Sequence, residues 1–311
     1  MPKFLLTRLS LLLPLLAVAN FGGYAYAWLA RTSMGNPFFA TTNASDSLWP
    51  AYMDYLTNLL RHGWAALPTM SERGMGGALA ASGGLLLAAV MVSIGLGVLF
   101  ALLGTRSRPP GIRGWLTAFT TLGLATPSFF IGVLVIALLL RGLIQGFFTA
   151  FPVPLNGFGW DVHLLLPILA LSLRPTAQIA QLLAGRLAEE MGRPYVTTAR
   201  SKGLRSRTQL LGHVMPNVWA SLAQIIAGCV RLLVGELILV EKLFDWPGLG
   251  QLVANTLVPA QFASARIAAT FLDPPLVATL LTLFAAVLLV LDGGAALLSR
   301  TADPRLRETT P

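Results

Sequence analysis

Long apolar runs separated by short polar segments dominate this chain. Six of these runs are as long as the roughly 20 apolar residues that a helix needs to cross the hydrocarbon core of a bilayer. They lie at about Leu9–Ala30, Ala78–Leu103, Trp115–Leu140, Leu164–Leu187, Val214–Val240 and Leu276–Leu298. The pattern predicts an all-α polytopic membrane protein with about six transmembrane helices.

The composition agrees with that class. Of 311 residues, 55% are hydrophobic and only 11% are charged, which is too little charge to cover the surface of a soluble protein of this length. The net charge of +9 would suit a nucleic-acid partner. However, the cations lie at the ends of the apolar runs, where membrane topology and anionic lipid headgroups explain them more simply. We therefore expect contact with membrane lipid and no nucleic-acid partner.

The cations also predict an orientation. Fourteen of the 22 Lys and Arg residues fall in the N-terminus, the second and fourth loops and the tail, and six fall in the other loops. Arg174 and Arg231 lie inside predicted spans. Because cytoplasmic loops carry an excess of Lys and Arg, both termini are predicted to be cytoplasmic.

The first apolar run has a second interpretation. Ala25-Tyr-Ala27 fits a signal-peptidase site, but cleavage there would leave five spans and disturb the charge sorting, so retention as an anchor is favoured. We expect an anchor with an external loop over residues 1–77 and a five-span core over 78–311. In the external loop, Trp49, Tyr52, Tyr55 and Leu59 recur at near-helical spacing. They fit a short amphipathic interfacial helix or a packed loop about equally well.

Motifs for catalysis are missing from the sequence. It contains no Gly-x-x-x-x-Gly-Lys-Ser/Thr nucleotide loop, no Gly-x-Ser-x-Gly elbow and no His-Glu-x-x-His. The three histidines (His62, His163 and His213) and the single Cys229 show no metal-ligand spacing. We expect neither a metal site nor catalysis by this chain alone.

Two spans carry polar stripes on one helical face. The members are Arg174, Gln178, Gln181 and Gly185 in the fourth span, and Gln224, Gly228, Arg231 and Gly235 in the fifth, where Glu236 is adjacent. Because a charge inside a membrane is costly, such arginines face a cavity or a partner. They either line a solute pathway, where an arginine would suit a free carboxylate, or are paired by Glu236 and the glutamines within the bundle or across a subunit interface.

The fourth loop, residues 188–213, is the basic loop of the chain. Six cations lie from Arg186, just before the loop, to Arg207, against Glu189 and Glu190. Two glycines and a proline (Gly192, Gly203 and Pro194) exclude one uninterrupted helix, so we expect two short helices broken near Gly203 on the membrane surface. Pro216 then lies in the first turn of the next span. Charge alone would fit an ordinary cytoplasmic loop.

The residue order indicates more than charge. Ala199-Arg-Ser-Lys-Gly-Leu204, followed by His213-Val-Met-Pro-Asn217, resembles the cytoplasmic signature loop of ABC importer permeases of the dipeptide/oligopeptide/nickel branch. Glu241-Lys-Leu-Phe-Asp-Trp-Pro-Gly-Leu-Gly250 resembles an external segment of that branch, within the loop 241–275. Asp303-Pro-Arg-Leu-Arg307 is similar to its ending, and Thr126-Pro-Ser-Phe-Phe130 stands at its proline-bearing step. The usual external Pro-Gly-Asp-Pro is absent, with Met34-Gly-Asn-Pro37 nearby.

The resemblance implies the architecture of a type I ABC importer permease in the bacterial inner membrane. It implies that the basic loop docks on separate ATPase subunits, which bind the ATP and Mg, so that this chain binds no cofactor. The docking positions implied are Tyr195, Ala199, Arg200, Ser201, Lys202, Gly203, Leu204 and Pro216, and the external motif positions are Glu241, Trp246, Pro247, Gly248 and Gly250.

The implied partners are two cytoplasmic ATPase subunits, a second permease subunit, expected as a heterodimer, and an external solute-binding protein. The solute would be a peptide or a related small solute such as a metal chelate. An ion-coupled secondary transporter, an ABC-type exporter subunit and a non-transporting scaffold or sensor remain the alternatives.

Overall fold

A computed structural model of the chain describes residues 2–33, 47–63, 67, 74–257 and 270–302. Most of these residues are helical. The α-helices are α1 (Pro2–Ser33), α2 (Leu48–His62), α3 (Gly74–Gly104), α4 (Gly114–Ala125), α5 (Ser128–Ile144), α6 (Leu165–Met191), α7 (Pro194–Ser201), α8 (Ser206–Gln209), α9 (Met215–Leu243), α10 (Leu249–Leu257) and α11 (Pro274–Ala302). Strands β1 (Thr105–Ser107) and β2 (Pro110–Ile112) form a hairpin, a 3₁₀ turn (Val162–Leu164) precedes α6, and a π-helical segment (Leu210–Val214) joins α8 to α9.

Within the described residues, five helical segments are long and apolar enough to cross a membrane. They are Leu12–Ser33, Gly74–Gly104, Val162–Met191, Ser206–Leu243 and Pro274–Gly294. The bent pair α4–α5 brings the number to six if it counts as one span, so the prediction of about six transmembrane helices is confirmed. The external loops predicted within residues 1–77 and at 241–275 lie only partly within the described residues. Met34–Pro37 and the tail motif Asp303–Arg307 lie outside them.

The third predicted span, Trp115–Leu140, is not one continuous helix. α4 ends at Ala125, α5 begins at Ser128, and the two helices meet at 98°. Pro127 lacks an N–H and excludes the helical conformation at the residue before it, and Thr126 accordingly has an extended backbone (φ −102°, ψ 119°). The apolar run is long enough for one span, but the proline divides it.

The chain forms two compact units. The first comprises residues 1–83 and 245–290. Its apolar core includes Tyr24, Tyr52, Tyr55, Leu249 and Leu276. Tyr52 and Tyr55 are the buried residues of α2, so the helix predicted from their spacing is present. Its tyrosine face packs within this unit.

A polar cluster lies inside that aromatic core. The Asn20 amide donates to the Tyr55 hydroxyl (3.0 Å) and to Thr282 Oγ1 (2.9 Å), and its carbonyl oxygen accepts a hydrogen bond from Tyr52 (3.0 Å). Because Tyr55 also contacts Thr279 Oγ1 at 3.0 Å, polar side chains of α1, α2 and α11 satisfy one another in an otherwise apolar setting.

The second unit comprises residues 84–244 and 291–311. Its core lies between α6 and α9 and includes Leu183, Leu187, Val218 and Leu222. Small residues allow the other helices to approach α6 closely. A Cβ added at Gly123 of α4 would lie 2.7 Å from the Cβ of Ala177, and other glycines make similar contacts.

The hairpin β1–β2 was not predicted from the sequence. It pairs Thr105 with Ile112 and Ser107 with Pro110 in antiparallel register, and it packs against α6. The Arg113 N–H donates to the Gly104 carbonyl oxygen (2.8 Å) and closes its base. The hairpin carries two of the arginines of the second loop, Arg106 and Arg108, on exposed side chains.

Candidate functional site

Helix α7, at the centre of the basic loop, has one buried and one exposed face. It begins at Pro194, a residue suited to the first helical position. Val196 is fully buried in the core of the second unit, and Ala199 is also buried. Thr198 and Ser201 are exposed. The outward face therefore carries small polar side chains, with Pro194 and Tyr195 exposed near its start.

The helix ends in a Schellman motif centred on Gly203. The Gly203 N–H donates to the Arg200 carbonyl (3.0 Å), and the Leu204 N–H donates to the Ala199 carbonyl (3.4 Å). Gly203 has φ +79°, a left-handed conformation that L side chains rarely adopt. A Cβ added at Gly203 would meet no atom within 4 Å, so backbone conformation and not space explains the glycine. The break predicted near Gly203 is present at that residue.

Arg200 and Lys202, two neighbouring cations of the basic loop, differ in environment. Arg200 Nη2 donates to the Ser107 carbonyl (3.3 Å) and so connects α7 to the hairpin β1–β2. Its Nε is buried and has no hydrogen-bond partner among the described residues. Lys202 is exposed at the helix end. Arg200 therefore contributes to the architecture of the loop, whereas Lys202 presents its charge outward.

Tyr195 connects three segments. Its hydroxyl donates to Glu190 Oε2 of α6 (2.9 Å) and accepts a hydrogen bond from Asn217 Nδ2 of α9 (3.1 Å). Burial raises the pKa of the Tyr195 phenol; the hydrogen bond from Asn217 lowers it, and the hydrogen bond to Glu190 raises it. These two hydrogen bonds connect α7 to the end of α6 and to the start of α9.

The second half of the basic loop differs from the prediction. In place of a separate short helix, α8, the π-helical segment and α9 form one helical segment of 38 residues, Ser206–Leu243. Pro216 follows the π-helical segment in the first turn of α9, as expected for that span. A π turn in a helix is one way to accommodate a proline, which cannot donate the regular backbone hydrogen bond. Only the first of the two expected short helices is separate.

Arg174 forms an ion pair inside the second unit. Its guanidinium contacts Glu236 of α9, and Ser128 Oγ at the start of α5 donates to the same carboxylate. The pair thus connects α5, α6 and α9 next to the break in the third span. Arg174 Nε and Gln178 Oε1 are buried without a hydrogen-bond partner among the described residues. The interpretation in which Glu236 pairs an arginine within the bundle holds for Arg174.

Arg231 has a different partner. Its Nη1 lies 2.6 Å from Asp292 Oδ1 of α11, and the two side chains are 51% and 44% exposed. Sequence reasoning missed Asp292, although a lone acid within an apolar span is the signal that could have found it. The other predicted pathway residues are less enclosed than the core: Gln181 is half-buried and Gln224 is exposed.

The external motif is mainly a buried turn. Glu241 is buried at the end of α9 in the second unit. In the first unit, fully buried Trp246 donates from Nε1 to the Ala81 carbonyl (3.0 Å), and the Leu249 N–H donates to Ser82 Oγ (2.7 Å). Pro247 is half-buried, and Gly248 and Gly250 are buried. The motif positions thus anchor the start of α10, with Asp245 at φ +53° before them.

A metal centre has no visible basis in the described part of the chain, where no group of three or more His, Cys, Asp or Glu side chains could hold an ion. The described residues therefore form a set of apolar helices with an exposed polar face on α7 and with the ion pairs of Arg174 and Arg231 inside the second unit.

Comparison with known proteins identifies the family. Residues 73–304 match the family described as "Binding-protein-dependent transport system inner membrane component", and the chain belongs to it. It is 30% identical to the dipeptide transport system permease protein of Lactococcus lactis subsp. cremoris over 213 residues, which is 68% of this chain and 64% of that protein. It is 28% identical to the oligopeptide transport system permease protein of Bacillus subtilis over 224 residues, 70% of this chain and 65% of that protein. The protein is therefore a multi-pass permease of the bacterial inner membrane.

Proposed function

We propose that this chain is the permease subunit of an ATP-driven ABC importer for peptides. The peptide assignment is supported by relatives named for dipeptide and oligopeptide transport. One observation carries the coupling assignment: the exposed face of α7 ends at the Gly203 turn, directly before the helical segment Ser206–Leu243. A displacement of α7 by a partner would act at the end of a helix that extends into the membrane.

The proposed complex has five further components. Two cytoplasmic ATPase subunits bind ATP and Mg and dock on the basic loop, a second permease subunit completes the membrane part, and an external binding protein delivers the peptide. The fifth component is the membrane lipid. In this arrangement both termini are cytoplasmic, and this chain hydrolyses no ATP itself.

The docking positions have distinct roles in the proposal. Exposed Ser201 and Lys202 would contact the ATPase, and Gly203 would supply the turn. Tyr195 and Arg200 would keep α7 oriented through their contacts with α6, α9 and the hairpin. ATP-driven closure of the two ATPase subunits would then bias the permease between inward- and outward-facing states.

The decisive experiment uses Gly203→Val in the complete transporter, reconstituted in proteoliposomes. A β-branched residue at φ +79° should distort the turn and lower ATP-driven peptide uptake by about tenfold, the effect of losing 1.4 kcal/mol of docking free energy. ATP hydrolysis by the partner subunits should persist while uptake falls.

The matched control is Gly146→Val. Gly146 has φ +75° and open space where a Cβ would lie, like Gly203, but it follows α5, away from the basic loop. Both variants therefore carry similar backbone strain. Equal loss of uptake in the two variants would contradict the docking assignment, because strain alone would then explain it.

Charge reversal separates the two cations. Lys202→Glu should weaken binding of the ATPase subunits while the permease keeps its melting temperature, because Lys202 is exposed. Arg200→Glu should also lower the melting temperature, because Arg200 is half-buried against Ser107. Retention of the ATPase subunits by the Lys202 variant during purification would argue against a docking role for this charge.

A further inference from the structure

The ion pair between Arg231 and Asp292 differs from a structural pair in its exposure. Arg231 lies near the middle of α9, Asp292 lies in the second half of α11, and their side chains are about half exposed. An exposed charge at this depth cannot face hydrocarbon without a large free-energy cost. The pair therefore faces either a water-filled pathway or another protein.

Glycines surround the pair on both helices. The guanidinium Nη2 of Arg231 lies 4.0 Å from a Cβ added at Gly228, and a Cβ at Gly235 would meet nothing within 4 Å. The same is true of Gly293 and Gly294, which directly follow Asp292. Both charges can thus be approached from the side by a ligand of some size.

The ion pair of Arg174 provides the contrast. Arg174 and Glu236 are 32% and 17% exposed, and the Ser128 hydroxyl donates a hydrogen bond to the same carboxylate. That pair is enclosed by three helices, whereas the Arg231–Asp292 pair is open. The two intramembrane arginines therefore differ in exposure, and the Arg231–Asp292 pair is the more accessible of the two.

We propose that Arg231 and Asp292 form a binding site for zwitterionic solutes, in which Arg231 takes the carboxylate and Asp292 takes the ammonium group of a short peptide. Peptide binding replaces the Arg231–Asp292 ion pair by two ion pairs, one between Arg231 and the peptide carboxylate and one between Asp292 and the peptide ammonium group. Neither protein charge is then left unpaired within the membrane. Guanidinium–carboxylate and ammonium–carboxylate contacts are strong because both groups are ionised. Recognition then depends on the two peptide termini and not on the peptide side chains.

The proposal rests on the proposed function as a peptide importer and assigns its substrate class. The test compares uptake of dialanine, N-acetyl-dialanine and dialanine amide by the complete reconstituted transporter. Each peptide is supplied at a concentration that saturates the external binding protein, so that differences between permease variants arise in the membrane part. Asp292→Asn should reduce the preference for a free amino group by about tenfold, which one charge-assisted contact can supply. Arg231→Gln should similarly reduce the preference for a free carboxylate.

The double variant Arg231→Gln/Asp292→Asn keeps the test decisive if a single variant fails to assemble. It removes both charges of the pair together, so assembly should be retained while both preferences are lost. The control variant Asp54→Asn/Arg61→Gln makes the same chemical changes at exposed positions of α2 and should leave all three uptake rates unchanged.

The outcomes distinguish failure of the proposed importer function from failure of the proposed zwitterion site. If the unmodified transporter imports no peptide, the proposed function is wrong. If it imports peptides but the double variant keeps both wild-type preferences, or changes all three rates by one common factor, the zwitterion site is wrong. Loss of the second permease subunit from the double variant would also overturn the site, because the pair would then belong to a subunit interface.

Discussion

Replacing Gly97 with alanine should destabilise the packing of α3 against α6. A Cβ at Gly97 would lie 2.7 Å from Cβ and Cγ2 of Ile179 and 3.2 Å from the Thr176 carbonyl oxygen. Carbon atoms in favourable contact are about 3.5–4.0 Å apart, so the helices must separate to admit the methyl group. Ile179 is 1% exposed and its Cβ is fixed to the backbone, so a rotamer change cannot relieve the contact.

The magnitude follows from two opposing terms. Overpacking of this kind costs about 1–3 kcal/mol, whereas Gly→Ala within a helix gains about 1 kcal/mol of helix propensity. Gly95, two residues earlier in α3, would have no atom within 4 Å of an added Cβ. The Gly95→Ala control therefore gains helix propensity without the cost of overpacking. The two variants should differ by about 2 kcal/mol, or roughly 4–8 °C in melting temperature for a domain of about 150–250 residues.

The single cysteine provides the assay. Cys229 is the only cysteine in the chain and is 2% exposed, so a thiol-reactive fluorogenic dye should label it only as the protein unfolds in detergent. Melting curves of purified Gly97→Ala and Gly95→Ala are then compared directly. Equal melting temperatures would refute the reasoning, since they would mean that α3 and α6 accommodate the methyl group without separating.

Three further predictions concern buried polar groups and use the same melting assay. Glu236→Gln should cost about 2–3 kcal/mol by leaving the Arg174 charge without its ionised partner, and Arg174→Gln in the same chain should recover much of that loss; no recovery would show that the pair is not the cause. Asn20→Ala should cost about 1–3 kcal/mol because two buried tyrosine hydroxyls lose a partner, and an unchanged melting temperature would contradict this. Trp246→Phe should cost about 1 kcal/mol through the lost hydrogen bond to Ala81, and Trp246→Ala about 3–5 kcal/mol; similar losses in both would argue against a packing role for the ring.

The spans were predictable because each depends on local composition alone. Apolar length gave five continuous helices and the position of the sixth span. The 98° bend between α4 and α5 was not predicted, although Pro127 was visible in the sequence. A proline marks where a helix can end, but the direction that the chain takes afterwards depends on contacts such as that of Ser128 with Glu236, 108 residues away.

Part of the candidate site was also predictable, because it depends on local sequence alone. The turn at Gly203 follows from residue chemistry, since the conformation there favours glycine. The different environments of Arg200 and Lys202 do not follow from the sequence, because Arg200 reaches a hairpin 93 residues earlier in the chain. Asp292 shows the same limit: helical periodicity placed Arg231 on a polar face but said nothing about which helix would supply its partner.

The π-helical segment at Leu210–Val214 affects the direction in which the side chains of α9 point around the helix axis. Each residue of an α-helix advances the side-chain direction by about 100°, and a π turn absorbs one extra residue without that advance. A one-residue deletion inside this segment should convert it to a regular α turn and leave Arg231 on its present face. The same deletion a few residues later should rotate Arg231 by about 100°, away from Asp292. Rotation therefore constrains the spacing between Gly203 and Arg231 everywhere except within the π-helical segment, where one residue can be lost without turning Arg231.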